Sequence, residues 1–144
     1  MSFVSETKIT VRYSETDMMG IVYHSRYYPW FEVARGDFVK GIGMKYSEME
    51  KQGVMLPLIE TWAKYHYGLK YEDEVIVTCK LTKLSVAKCE FKYEVYKLPE
   101  MRLMTEGKTN HGFVNSDMQP INLKRTHPDM WEKLERLVWS EENK

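Results

Sequence analysis

The sequence predicts an α+β domain in which a curved antiparallel sheet of about five strands wraps one long helix, with a C-terminal helix following. Three observations predict it. Residues 25–42 carry apolar side chains at helical spacing. The runs that follow are β-leaning, and most of them alternate apolar and polar residues. A last segment, about 127–140, returns to helical spacing. One long helix with a broad apolar face has a single sheet to cover it, so the simplest packing curves the sheet around that helix.

Each element has its own signal. Ile9, Val11 and Tyr13 alternate with Lys8, Thr10 and Arg12, which reads as a half-buried strand. Tyr27, Trp30, Phe31, Ala34, Phe38 and Ile42 then recur at helical intervals. Pro29 falls in the first turn, where its missing N–H does no harm, and Gly41 and Gly43 mark the end. Tyr46 to Gln52 reads as a short helix closed by Gly53. Val54 to Tyr67 is apolar and β-leaning, with Pro57 near its start. Val75, Val77, Cys79 and Leu81 form one alternating strand, and Cys89, Phe91, Tyr93 and Val95 the next. Leu98-Pro99-Glu100 makes a turn into a strand from Arg102 to Asn115. One face of that strand carries Leu103, Thr105, Gly107, Thr109, His111 and Phe113, several of them small, which suits close approach of a helix. Thr126 is expected to cap the last helix, with Pro128 in its first turn and Met130, Trp131, Leu134, Leu137 and Val138 on its apolar face.

Composition narrows the function. A chain of 144 residues, 43% hydrophobic, is expected to form one domain over 1–144 with a proper core. Its 21 basic and 21 acidic residues cancel, which argues against nucleic acid or an anionic membrane as main partner. Cys79 and Cys89 have no metal-like spacing and read as small buried apolar groups. His66, His111 and His127 show no ligand spacing either, so no metal is expected. No signal region or membrane span is present in the pattern, which makes the cytoplasm the expected location.

The chemistry concentrates in Tyr13 to His24. An alternating strand runs into Glu15-Thr16-Asp17-Met18-Met19-Gly20-Ile21-Val22-Tyr23-His24, and the long helix follows. A carboxylate buried at such a turn is costly, which points to a chemical use for Asp17. Glu15 reads as a solvated or turn-forming acid.

Asp17-Met18-Met19-Gly20-Ile21-Val22-Tyr23-His24, with Tyr27 and Phe31 after it, resembles the signature of the hotdog-fold acyl-CoA thioesterases. The group it resembles most is that of 4-hydroxybenzoyl-CoA thioesterase and the YbgC-like proteins. Gly107, Thr109, His111 and Phe113 resemble the same family's G-x-T-x-H segment. The resemblance extends to about Leu123 and leaves the terminal helix outside it. Met18 and Met19 depart from the small residues or proline usual there, and Cys89 stands where many relatives have Ser.

The resemblance implies hydrolysis of an acyl-CoA, or of an acyl carrier protein thioester, with the thioester as substrate and no further cofactor. Asp17 would be nucleophile or general base. His24 and Tyr13 would assist it, and backbone N–H groups at the start of the long helix would polarise the carbonyl. Gly20 would allow close approach, with Met19, Ile21 and Val22 beside it and Ile59 and Glu60 lining the acyl pocket. Lys83 and Lys88, flanking the Leu84-Ser85-Val86-Ala87 turn, would meet the phosphates of CoA. The family assembles as homodimers, often doubled to homotetramers, with active sites shared between subunits. A hotdog hydratase or dehydratase, or a non-catalytic acyl-CoA-binding protein, is the competing expectation.

Overall fold

The computed structural model describes residues 3–140. Five strands, β1 (Val4–Thr10), β2 (Leu58–Tyr65), β3 (Glu74–Leu84), β4 (Lys88–Lys97) and β5 (Arg102–Gly112), form one antiparallel sheet in the order β1-β3-β4-β5-β2. The helix α1 (Tyr27–Gly41) lies across the concave face, against β1, β3 and β4. Three short helices complete the chain: α2 (Tyr46–Lys51), α3 (Leu123–Thr126) and α4 (Pro128–Glu135). This is the hotdog arrangement expected from the sequence, with one helix held in a curved sheet.

The alternation read from the sequence decides which face of the sheet is buried. Val75, Val77, Cys79 and Leu81 of β3 and Cys89, Phe91, Tyr93 and Val95 of β4 all point into the core. Register places Tyr93 opposite Gly107, and the Phe31 ring of α1 stacks on Tyr93 with centroids 4.6 Å apart. A Cβ at Gly107 would overlap the Phe31 ring. The small residue expected on β5 is therefore where the helix comes closest to the sheet. Both cysteines are buried on this face, and burial pushes the Cys89 thiol up to about 12.

Three expectations need correction. β1 ends at Thr10, and Tyr13 starts a 3-10 turn, Tyr13–Glu15, so Tyr13 leaves the inward face of Ile9 and Val11 and is largely exposed. β5 ends at Gly112, and a register shift near Val95/Tyr96 leaves Met104 rather than Leu103 buried. The end of α1 is where the glycines place it: Gly41 is its last residue, packed under the Phe3 ring, and Gly43 follows at φ 81°. Thr126 does not cap the last helix. It ends α3, whose cap is Asn122, and His127 occupies the N-cap of α4, which stops at Glu135 before Leu137 and Val138. Two short helices divided at His127-Pro128 replace one longer helix, because the residue before proline is pushed out of the helical region.

β2 differs from its neighbours. It is an edge strand, and Leu58, Ile59, Trp62 and Tyr65 are 43–56% exposed. Such an apolar edge with unpaired backbone groups is ready to pair with another strand.

Candidate active site

The segment between β1 and α1 folds as a small tied loop. Thr16 bridges Val22, and the Asp17 N–H donates to the Ile21 carbonyl at 2.9 Å. The Gly20 N–H returns to the Asp17 carbonyl at 2.9 Å, which closes a four-residue turn with Met18 and Met19 at its tip. The Asp17 carboxylate accepts the Met19 N–H at 2.9 Å through one oxygen, Oδ1. Its other oxygen, Oδ2, makes no hydrogen bond among the described residues. Gly20 has φ 80°, and a Cβ there would meet nothing within 4 Å. The turn thus needs glycine for its backbone conformation, and in this chain no crowding demands it.

Sequence reasoning assigned the buried carboxylate to the wrong residue. Asp17 is only half-buried, while Glu15 is 4% exposed. Glu15 accepts the Arg12 N–H at 2.8 Å and the Trp30 indole N–H at 2.7 Å, and the Arg12 guanidinium lies 3.5 Å away. Burial raises the Glu15 pKa, but these three donors together outweigh it and hold the carboxyl below the usual range. Glu15 is a tether. The signal for it was the Arg12-x-x-Glu15 spacing, whereas its partner Trp30 lies fifteen residues on, beyond any local pattern.

The tether fixes the two residues expected to act together. The Tyr23 N–H donates to the Glu15 carbonyl at 2.8 Å, which holds the backbone next to His24 against the turn that leads to Asp17. His24 opens a 3-10 turn, His24–Arg26, that runs straight into α1. The first amides of such a turn have no acceptor within it and are available to a ligand. Asp17, His24, Met19, Ile21 and Val22 line one cleft of about 300 Å³, with Tyr27 and Tyr65 in its wall. Val22 is buried and holds the loop to the core, its N–H bonded to the Leu69 carbonyl at 2.9 Å. Tyr13 and Gly20 line a second concavity that meets the first at Asp17, and the Tyr13 ring packs edge-on against Tyr71. Met18 is fully exposed at the rim and Met19 largely so.

The remaining expected residues gather elsewhere. Ile59, Glu60, Lys83 and Lys88 line a separate cavity of about 440 Å³. It opens at the start of β2, while Tyr65 and the Asp17 cleft lie at its end, a strand length of about 20 Å. The expected residues therefore divide between two cavities. Tyr65, His66 and Tyr67, at the end of β2, were missed by sequence reasoning; nothing in their spacing marks them, and only the β2–β5 pairing brings them to the cleft.

A buried polar chain links α1 to the segment just before β2. Arg35 donates to the hydroxyls of Tyr46 (2.9 Å) and Tyr93 (3.0 Å), Tyr93 meets Thr109 at 2.6 Å, and His111 meets Thr109 at 2.9 Å and the Leu56 carbonyl at 3.0 Å. Burial drives the His111 pKa down to about 4, so the ring is neutral at pH 7. This agrees with a structural role for His111. Among the described residues, no three His, Cys, Asp or Glu side chains are placed to hold a metal, and no helix is long and apolar enough to cross a membrane.

Comparison with known proteins now gives this geometry a family. The sequence profile of the thioesterase-like superfamily matches residues 11–134, which includes both cavities and most of α4. A Bacillus subtilis (strain 168) protein provisionally named acyl-CoA thioesterase YneP is 35% identical over 127 residues, 88% of this chain and 91% of its own. The crystal structure of a DHNA-CoA thioesterase from Staphylococcus aureus superposes with a TM-score of 0.87 at 36% identity, covering 92% of this chain and 89% of that one. The acyl-acyl carrier protein thioesterase ATL3 of Arabidopsis thaliana is 25% identical over 85% of this chain and 65% of its own length. On the match of sequence profile, sequence relatives and fold, the chain belongs to the thioesterase-like superfamily.

Proposed function

We propose that this protein hydrolyses acyl-CoA thioesters to the free acid and CoA, in a homodimer whose two β2 edges pair. The observation that carries the reading is the shared cleft of Asp17 and His24 at the entry to α1. Asp17 presents a carboxylate oxygen that the protein leaves unbonded, beside first-turn amides that have no acceptor of their own. The free oxygen either attacks the thioester carbon, giving an anhydride that water then hydrolyses to the acid and restored Asp17, or takes a proton from the attacking water. The amides of the His24 turn receive the charge that develops on the carbonyl oxygen, an interaction worth ~3 kcal/mol of barrier per donor. His24 stands beside the departing sulfur and supplies its proton. Tyr13 lies one step further out and orients the substrate at the mouth. The reaction needs water and no cofactor.

The dimer supplies what one protomer lacks. Antiparallel pairing of β2 with its own copy sets the Ile59 end of one strand beside the Tyr65 end of the other. Each Asp17 cleft then gains a neighbouring cavity with Ile59 and Glu60 for the acyl group and Lys83 and Lys88 for the carrier. It also covers Leu58, Ile59, Trp62 and Tyr65, which are exposed in the single chain.

The test is thiol release across acyl-CoAs of varied chain length and aromaticity. Release of CoA with appearance of free acid supports the reading. Hydration of an enoyl-CoA with the thioester intact, or binding without release, contradicts it. A carrier-protein thioesterase is the second reading, favoured by the similarity to ATL3. Matched CoA and carrier-protein thioesters of one acyl group separate the two.

A further inference from the structure

The cavity expected to receive the carrier has no net attraction for phosphate by itself. Lys83 and Lys88 line it, but so do Glu60 and Glu90, two cations against two carboxylates. Glu90 also engages Lys83 at 4.0 Å and accepts from the Thr82 hydroxyl at 2.8 Å. A ligand with three phosphate groups needs more positive charge than this wall offers.

The extra charge comes from α3. The Leu123 N–H donates to the Val86 carbonyl at 2.9 Å, which fastens the start of α3 to the β3–β4 turn between Lys83 and Lys88. Leu123 is buried, and the two residues after it, Lys124 and Arg125, are exposed. The Asn122 side chain accepts the Arg125 N–H at 3.1 Å and fixes this turn of helix. Four other sheet cations are paired, Lys8 with Glu74, Lys80 with Glu94, Lys92 with Glu106 and Lys97 with Asp73, while Arg102 and Lys108 lie over the Tyr67 and Trp62 rings and Lys64 forms no ion pair among the described residues. Among the described residues Lys88, Lys124 and Arg125 form no ion pair. In a chain with balanced charge, three unpaired cations around one turn make a local positive surface.

We infer that Lys124 and Arg125 join Lys88 in binding the phosphates of the CoA nucleotide, and so favour CoA over a thioester that carries only the pantetheine arm. The inference rests on the acyl-CoA reading above. It assigns a binding role to two residues that the sequence reading left without one, and it commits to the nucleotide rather than to an acidic carrier protein as the group recognised.

The experiment compares the wild-type protein with the double variant Lys124→Ala/Arg125→Ala. Both positions are exposed, so an unchanged melting temperature is the folding control, and Lys133→Ala/Arg136→Ala removes the same charge from α4. Calorimetric titration with adenosine 3′,5′-bisphosphate and with CoA should show roughly tenfold weaker binding in the first double variant and none of this loss in the second. KM for acyl-CoA should rise by a similar factor with kcat held, while turnover of the matching acyl-pantetheine stays the same. Unchanged affinity for both nucleotides overturns the inference. So does a loss confined to an acyl carrier protein substrate, which would make the patch a protein-docking surface. Nucleotide titration reads the site even if no thioester is cleaved, so its failure is distinct from failure of the hydrolase reading.

Discussion

Glu15 accepts the indole N–H of Trp30 at 2.7 Å, and this bond ties the loop carrying Asp17 to the first turn of α1. The same residue's carbonyl accepts from Tyr23, next to His24. Glu15 therefore holds both ends of the loop that carries the two proposed active residues, one through its side chain and one through its backbone. Trp30→Phe removes one of the donors that keep Glu15 ionised and should cost about 2 kcal/mol, typical of a hydrogen bond to a charged group. Glu15→Gln should cost a similar amount, and the two changes should be coupled by about 1–2 kcal/mol. Urea denaturation of the two single variants and the double variant measures this. Costs that simply add would mean that the pair is not a unit.

Gly107 and Gly36 should respond to alanine in opposite directions. A Cβ at Gly107 enters the Phe31 ring, which cannot retreat because it is stacked on Tyr93. Gly107→Ala should destabilise by about 1–3 kcal/mol. Gly36 lies within α1 with nothing within 4 Å of an added Cβ. Gly36→Ala should stabilise by about 0.5–1 kcal/mol. Thermal unfolding of the two variants checks the contrast.

His111 gives the fold a defined acid limb. Its folded pKa, about 4, lies below the ordinary value of 6.5 because burial disfavours the charged ring. The unfolded chain therefore binds this proton first as pH falls. The stability it confers is complete above pH 6.5 and is lost progressively between pH 6.5 and 4, about 2 kcal/mol of it by pH 5. Glu15, with a lowered pKa, adds its own loss at lower pH. Denaturant midpoints from pH 8 to 4 should show the first, and their extension below pH 4 the second. In His111→Gln the decline between pH 6.5 and 5 should shrink even though the variant is less stable throughout.

These sites divide by how local their signal is. The interior of β3, β4 and β5 was readable because alternate residues face one core, and Tyr93 with Gly107 fits that alternation. The helix α1 was readable for the same reason at a different period. β2 has no such pattern, since Leu58, Ile59, Trp62 and Tyr65 are all exposed in the single chain and both faces look alike. At the site, the Asp17 to His24 motif identified the loop, and its turn and glycine are formed as its spacing implies. Which acid is buried was not readable, because the deciding partner, Trp30, lies on another element. The split of the expected residues into two cavities was equally hidden, since sequence spacing carries no information about which end of β2 each residue approaches.

The β2 edge makes the assembly testable. Trp62 is 43% exposed, with Lys108 5.6 Å from its ring centroid. Trp62→Lys should cost the single chain little, yet place like charges face to face across a paired edge. Sedimentation should show a shift from dimer to monomer, and thiol release should fall with it. A variant that stays dimeric and active would move the interface away from β2.

The most direct test of the central claim is kcat for thiol release by Asp17→Asn, measured beside wild type on one good acyl-CoA substrate. The substitution keeps an acceptor for the Met19 N–H, so the turn and the melting temperature should hold. It removes the carboxylate that attacks or takes the proton, and kcat should fall by about 10³-fold or more. Turnover at the wild-type rate in the folded variant would contradict the account and remove Asp17 from the chemistry.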